Sequence, residues 1–251
     1  MAVVDAKMSD YFQRYIVPLA GVFIVLRILH YVLSKLHPIV FAKICPILSK
    51  KHHLEIKEHK DKLFSDLAAT RKDSNQRFFA LEIGCGPGAN FALYPANTSL
   101  LVVEPNSRFE EGAFQNAAKH PSLEITKFLA MGAEDLKGHV EDSSQDAVVS
   151  TLTMCSVDDI DAVVSEIHRI LKPGGRFYFV EHTETHNKNS WTHFMQRMMV
   201  PVVLTLAHCQ INNTFYVSVD RAGFSKVQYT KMDIAKCPRL FRSHVLGFAV
   251  K

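Results

Sequence analysis

The sequence has no C-x-x-C pair, no internal repeat, no Gly/Ser-rich linker and no large charge excess of either sign. Its five cysteines, Cys45, Cys85, Cys155, Cys209 and Cys237, are odd in number and widely scattered. That pattern argues against a disulfide framework or a zinc site and places the chain in a reducing compartment. Lys and Arg number 29 against 25 Asp and Glu, a balance of +4 that is too mild to call for a nucleic-acid partner. With 47% hydrophobic and 22% charged residues the chain is neither disordered nor fibrous, and 251 residues suit one main domain with a substantial core. The small positive excess is localised. Up to Asn75 there are 12 basic and 7 acidic residues, and beyond it 17 basic and 18 acidic.

The most apolar window, Ile16 to Val40, is near the length of a membrane span, about 20 residues. It carries Arg27, His30, Ser34 and His37 on one helical stripe, with Leu26, Leu29, Val32, Leu33 and Leu36 elsewhere around the helix. An arginine at the centre of a lone span costs at least about 2.5 kcal/mol, which favours a helix lying in the membrane interface. No small-residue cleavage site comes after the window, so a signal peptide fits poorly. Lys35, Lys43, Lys50 and Lys51 hold the downstream domain on the cytosolic side. The expected organisation is a membrane-anchoring segment over 1–48, a charged connecting helix over 49–76, with Lys50 to Lys72 a solvated face, and a single domain over 77–251.

That domain opens on the apolar run Phe78 to Ile83, which feeds Gly84-Cys85-Gly86-Pro87-Gly88-Ala89-Asn90. Glycines serve where the backbone turns with positive φ and where it must lie against a ligand without an intervening Cβ. A second apolar run, Leu100 to Val103, ends in Glu104, placed to bind ribose hydroxyls. The spacing is G-x-G-x-G, with Pro87 inside the loop and Pro95 cutting the next helix short. A dinucleotide site needs a full helix facing a pyrophosphate. This loop better suits a ligand with no phosphate.

LEIGCGPGAN, VVEPN, GAEDL at Gly132 to Leu136, DAVVSTLTMCSV at Asp146 to Val157 and LKPGGRFYFVEH at Leu171 to His182 succeed one another in order. The set resembles a class I S-adenosylmethionine-dependent methyltransferase. With the apolar N-terminal segment and the chain end GFAVK, it resembles the methyltransferase-like seven group, membrane-associated thiol S-methyltransferases of the endoplasmic reticulum and lipid droplets. The resemblance implies an α/β, Rossmann-like fold: a mostly parallel seven-stranded sheet, helices on both faces and a C-terminal antiparallel hairpin. It implies S-adenosyl-L-methionine as cofactor, with Glu82, Gly84, Gly86 and Gly88 lining its methionine end. Glu104 would hold the ribose, Pro105 and Asn106 would flank the adenine, Ala133 and Glu134 would touch the adenine edge, and Thr151 would line the same cleft. Many relatives have an acidic residue where Gly132 stands, so Glu134, Asp135 or a backbone carbonyl must serve here.

Ile160, Val163, Val164, Ile167, Ile170 and Leu171 trace a helix ended by Lys172-Pro173-Gly174-Gly175, and Arg176 to Val180 reads as the next strand. Phe224 to Met232 and His244 to Val250 read as the closing hairpin. Ligands in such sheets lie beyond the carboxyl ends of the strands, an edge that holds Gly84, Glu104, Thr151 to Cys155, Glu181 and His182. The expected acceptor is a lipophilic small-molecule thiol at a membrane surface. Oxygen or nitrogen methylation of an apolar metabolite, and a catalytically silent lipid-droplet scaffold, are the alternatives. A thiol with pKa of about 8.5 needs no strong base, and no metal is required. His182 and His186 are candidate proton acceptors or loop histidines, Glu181 binds substrate or caps a helix, and Cys155 suits a buried apolar position. The Met-rich stretch from Trp191 to Leu204 reads as a lid, as core or as an interfacial patch. No Asp/Asn-Pro-Pro-aromatic motif is present to hold a flipped adenine, so nucleic acid is not an expected substrate.

Overall fold

The computed structural model describes residues 17–71, 73 and 75–251, without the side chains of 17–22, 26, 29, 30, 33, 34, 44–46, 48, 49 and 206. It divides into two compact units, Met1–Lys43 and Ile44–Lys251. In the first, helix α1 begins; it is assigned over Val17–Glu55. Phe23, Ile24, Val25, Ile28, Tyr31, Val32, Leu36 and Val40 are all exposed, as are Arg27 and Lys35. His30 and Ser34 of the polar stripe lie outside the described side chains. Among the described residues, no helix is long and apolar enough to cross a membrane.

The second unit is built on a seven-stranded sheet: β1 Phe78–Ile83, β2 Thr98–Val103, β3 Leu123–Leu129, β4 Gln145–Thr151, β5 Leu171–His182, β6 Lys226–Asp233 and β7 Ser243–Val250. Their order is β3-β2-β1-β4-β5-β7-β6, with β1 to β5 parallel and β7 antiparallel to both neighbours. This is the Rossmann-like arrangement expected from the motif order. The chain leaves β1 toward β2 and returns on the far side to β4, so the order reverses between β1 and β4, where a crevice opens at the carboxyl ends.

Strand periodicity divides the core. Phe78 and Ala80 of β1 and Tyr178 and Val180 of β5 face one layer, whereas Leu81, Ile83, Phe177 and Phe179 face the other. The first layer is covered by α2 (Lys57–Ala69) and α3 (Glu110–Ala117), the second by α4 (Ile160–Ile170) and α6 (Phe215–Arg221), while α5 (Trp191–Ala207) packs on a separate cluster of Cys155, Cys209 and Ile211. Helix α4 is fixed at its start by Asp159, whose carboxylate accepts from the Ala162 N–H at 3.0 Å.

Two expectations are corrected. The charged stretch from Lys50 to Lys72 is not a fully solvated face: Ile56, Lys60, Leu63, Phe64 and Leu67 are buried against the sheet. Leu63, Phe64 and Leu67 form a compact apolar face that the surrounding lysines disguise in the sequence. The fifth strand is longer than Arg176 to Val180, because Leu171 already pairs with Gln145 and the Lys172 to Gly175 turn is a bulge within the ladder.

Candidate active site

The glycine loop leaves β1 with positive φ at all three glycines: +67° at Gly84, +51° at Gly86 and +86° at Gly88. A Cβ on Gly84 would strike Thr153, and one on Gly88 would strike the Phe91 ring. These two glycines are required by packing. Gly86 differs, since a Cβ there would meet no protein atom within 4 Å. It borders open space, which is what close approach of a ligand to the backbone needs. The expected short helix is a 3₁₀ turn, Phe91–Leu93, stopped before Pro95.

Glu104 braces this loop. Its Oε2 accepts from the Gly86 N–H and its Oε1 from the Asn106 N–H, both at 3.0 Å. Each oxygen retains lone pairs for a further donor, such as a ribose hydroxyl. Burial raises its pKa, while those two backbone N–H groups pull it down. Pro105 is exposed and Asn106 half-buried beside it. Asn116 of α3 holds the loop from behind, its amide donating to the carbonyls of Pro87 (3.1 Å) and Gly88 (2.9 Å).

Glu82, at the end of β1, is buried and accepts from Asn90 Nδ2 and the Tyr94 hydroxyl, each at 2.9 Å. Burial pushes its pKa up to about 7 against those bonds. Asn90 Nδ2 also reaches Thr151 Oγ1 at 3.2 Å, tying β1 to β4. Asn90 Oδ1 is buried with no hydrogen-bond partner. A buried acceptor without a donor is unfavourable by about 1–3 kcal/mol and marks a place for an incoming N–H or ammonium. Asn90 belongs to the loop motif, yet nothing in its spacing, or in that of Tyr94 and Asn116, announces a role; only the fold brings them to Glu82 and the loop.

Ala133 is buried, and the Glu134 carboxylate folds back over Gly132, filling the space that a side chain at 132 would take. Its Oε1 accepts from the Asp158 N–H at 3.3 Å. Of the groups expected to stand in for an acid at 132, the Glu134 carboxylate is the one that lies over that position.

Glu181 neither caps the helix after β5 nor stands free for a substrate. Its carboxylate accepts from Ser150 Oγ and from the N–H groups of Thr153 (2.8 Å) and Met154 (3.0 Å), so it clamps the turn after β4 against the loop at Gly84. His182 is buried, which removes the reading of a solvent-facing loop histidine. Its Nε2 lies 3.2 Å from His52 Nε2, and its pKa falls well below the ordinary value through burial and the neighbouring His244 and His52. His186 is exposed, 3.8 Å from Asp233. Cys155 is buried, its sulfur 3.0 Å from that of Cys209.

The Met-rich segment is α5. Trp191, Phe194, Met198, Val202 and Leu204 are exposed, whereas Gln196 is 1% exposed and bonds inward to Thr185, Ile211 and Leu240. The helix presents apolar side chains outward.

S-adenosylmethionine fits this site on three observations: open space at Gly86, a ribose-ready carboxylate at Glu104 and an unpartnered buried acceptor at Asn90. Residues 81–179 match the family described as Methyltransferase domain. Among solved structures, an S-adenosylmethionine-dependent methyltransferase of Thermotoga maritima, a possible histamine N-methyltransferase, superposes with a TM-score of 0.56 at 18% identity, over 84% of this chain and 98% of that one. The YcgJ protein of Bacillus subtilis gives 0.58 at 15% identity, over 77% and 98%. Fold and site together define an S-adenosylmethionine-dependent methyltransferase. Within that class, human thiol S-methyltransferase TMT1A is 34% identical over 193 residues, 76% of this chain and 78% of that protein. Rat TMT1B is 31% identical over 217 residues, 84% and 86% respectively. The chain belongs to the family of these thiol S-methyltransferases.

Proposed function

We propose that this methyltransferase transfers the methyl group to the sulfur of a lipophilic small-molecule thiol at a membrane surface, on the cytosolic side of the endoplasmic reticulum or of a lipid droplet. The observation that carries the choice of sulfur is the state of the acids and bases at the carboxyl edge. Glu82, Glu104 and Glu181 are all engaged by internal donors, and His182 is buried and turned toward His52. An alcohol needs a strong base to become a nucleophile, whereas a thiol with a pKa of about 8.5 is already thiolate in a few per cent of molecules at neutral pH. The relatives TMT1A and TMT1B, named as thiol S-methyltransferases, support the same choice.

When bound, S-adenosylmethionine supplies an electrophilic methyl group on a positively charged sulfur. The chain's own part is alignment and exclusion of water. Glu104 holds the ribose side, while Glu82, Asn90 and the Gly86 backbone receive the amino-acid end. The turn clamped by Glu181 sets Thr153 beside Gly84 and fixes the floor of the cleft. The membrane part of the proposal is supported by the exposed apolar side chains of α1 and by the outward-facing stripe of α5.

The test is transfer of labelled methyl to matched aliphatic thiols, alcohols and amines by detergent-solubilised protein, with Glu104→Ala as control. Thiols alone should accept, and the control should bind cofactor roughly a hundredfold more weakly, the loss expected for a charge-assisted hydrogen-bond site. Transfer to alcohols or amines with none to thiols would overturn the assignment.

A further inference from the structure

Three histidines far apart in sequence meet where β5 ends. His182 ends β5, His244 stands opposite it in the β5–β7 ladder, and His52 comes from the last turn of α1, within the second unit. His182 and His244 lie 130 and 192 residues from His52, so no motif spacing announces the cluster. Their ring centroids form a nearly equilateral triangle of 4.8, 4.9 and 5.2 Å. His52 Nε2 is 3.0 Å from His244 Nε2 and 3.2 Å from His182 Nε2, and one nitrogen of each ring lies within 4.8 Å of the others.

The outer nitrogens explain why this is unlike ordinary core packing. His244 Nδ1 is 2.7 Å from the Arg242 carbonyl, which can only accept, so this nitrogen carries the hydrogen and Nε2 presents a lone pair inward. His52 Nδ1 lies 3.8 Å from Glu55 Oε2, outside hydrogen-bond reach, so its Nε2 is the nitrogen that meets the other two rings. The inward lone pair of His244 Nε2 faces His52 Nε2 at 3.0 Å, a position that either a proton on His52 or a shared cation satisfies. An outward Nδ1–H held by a carbonyl or carboxylate, with Nε2 directed to the centre, is the outer-shell pattern of metal-bound imidazole. Nitrogens bound to zinc at 2.0–2.1 Å in a tetrahedron stand about 3.3–3.4 Å apart, close to the separations seen.

We propose that His52, His182 and His244 bind a zinc(II) ion whose fourth position takes the thiolate sulfur of the acceptor. Three protein ligands and one open position are the coordination of catalytic rather than structural zinc. The proposal deepens the thiol reading and rests on it for the identity of the fourth ligand. The acceptor thiol gives its proton to solvent as its sulfur joins the metal. Zinc stabilises the thiolate and places it at the edge that Glu181 links to Gly84. The thiolate sulfur bonds the methyl carbon as the methyl–sulfonium bond breaks and leaves its electron pair on the cofactor sulfur, and the resulting neutral thioether is a weaker ligand that departs. This position also gives buried His182 a task that proton transfer to bulk water would not.

The experiment uses the full chain in detergent, reconstituted with zinc or cobalt. Metal analysis should return roughly one equivalent for wild type and for Cys155→Ala, and at least tenfold less occupancy for His52→Gln and His244→Gln, whose folding is checked by circular dichroism. Cobalt protein should gain a sulfur-to-metal charge-transfer band on adding an aliphatic thiol and none with the matched alcohol. Less than a tenth of an equivalent in zinc-loaded wild type would overturn the proposal, and so would metal lost from Cys155→Ala but kept by His244→Gln. Cys237 Sγ, 3.9 Å from His52 Nε2, is the one sulfur near enough to His52 to close the site among the described residues. A charge-transfer band before thiol is added, abolished in Cys237→Ala, would overturn the open position. The two readings fail separately: thiol methylation that persists in metal-free protein sinks the zinc and leaves the function, whereas metal binding with methylation of alcohols alone leaves the ion and sinks its thiolate ligand.

Discussion

Glu82 is buried, near the Lys60 ammonium, with a pKa of about 7. Its folded value lies above the unfolded one, so its contribution to folding is present below about pH 4.5 and is lost as pH rises through 7. A cationic ligand reverses the preference by stabilising the carboxylate. S-adenosylmethionine affinity should therefore rise up to about tenfold per pH unit below 7 and level off above it. Titration calorimetry between pH 5.5 and 8 checks this, and in Glu82→Gln the slope should vanish while binding is weaker throughout. The loop glycines give a second contrast. Gly86→Ala meets no protein atom, so beyond about 1–2 kcal/mol of left-handed strain its main effect should be lost cofactor affinity. Gly88→Ala meets the Phe91 ring and should lower the melting temperature as well; equal melting temperatures would contradict these assignments. Glu104 and the glycines were legible in the sequence because a strand, a turn and the next strand place them locally. Asn90, Tyr94, His52 and His244 were not, because their partners come from other elements; His182 was singled out, but not its two neighbours.

Helix α2 shows how an element can be misread when long charged side chains surround a narrow apolar face. Lys57, Glu58 and Lys62 made it look solvated, yet Leu67 is 1% and Ile56 0% exposed. Even Lys60 is buried, its ammonium donating to the Ala89 carbonyl at 3.2 Å behind the glycine loop and its pKa lowered to about 8 by burial. Leu67→Ala should cost about 2–5 kcal/mol in urea unfolding, whereas Lys57→Ala should stay within about 0.5 kcal/mol. Similar small losses for both would mean that α2 is not part of the core. Strands β1, β2 and β4 were legible because apolar runs bounded by Gly, Pro and acidic residues leave few options, while the bulge that begins β5 depends on pairing with Gln145 and has no local signal.

Across the whole chain, the positive excess and the most apolar window both lie in the first segment, and the contacts divide there too, after Lys43. Because the second unit contains the sheet, both core layers, the glycine loop and the histidine triad, a chain of residues 44–251 should fold, melt within a few degrees of the full protein and bind S-adenosylmethionine. What it should lose is attachment. An interfacial helix gains from buried apolar area and from about 1 kcal/mol per lysine near an anionic surface, so part of the binding is screened by salt. Flotation with vesicles containing phosphatidylserine should carry the full chain, less completely at high salt, and leave residues 44–251, which keep only the α5 stripe, largely in the soluble fraction. Equal flotation of both would move the attachment to the apolar stripe of α5, where Trp191, Phe194, Met198 and Val202 recur at helical spacing on the exposed face. Trp191→Ser with Phe194→Ser should then abolish it.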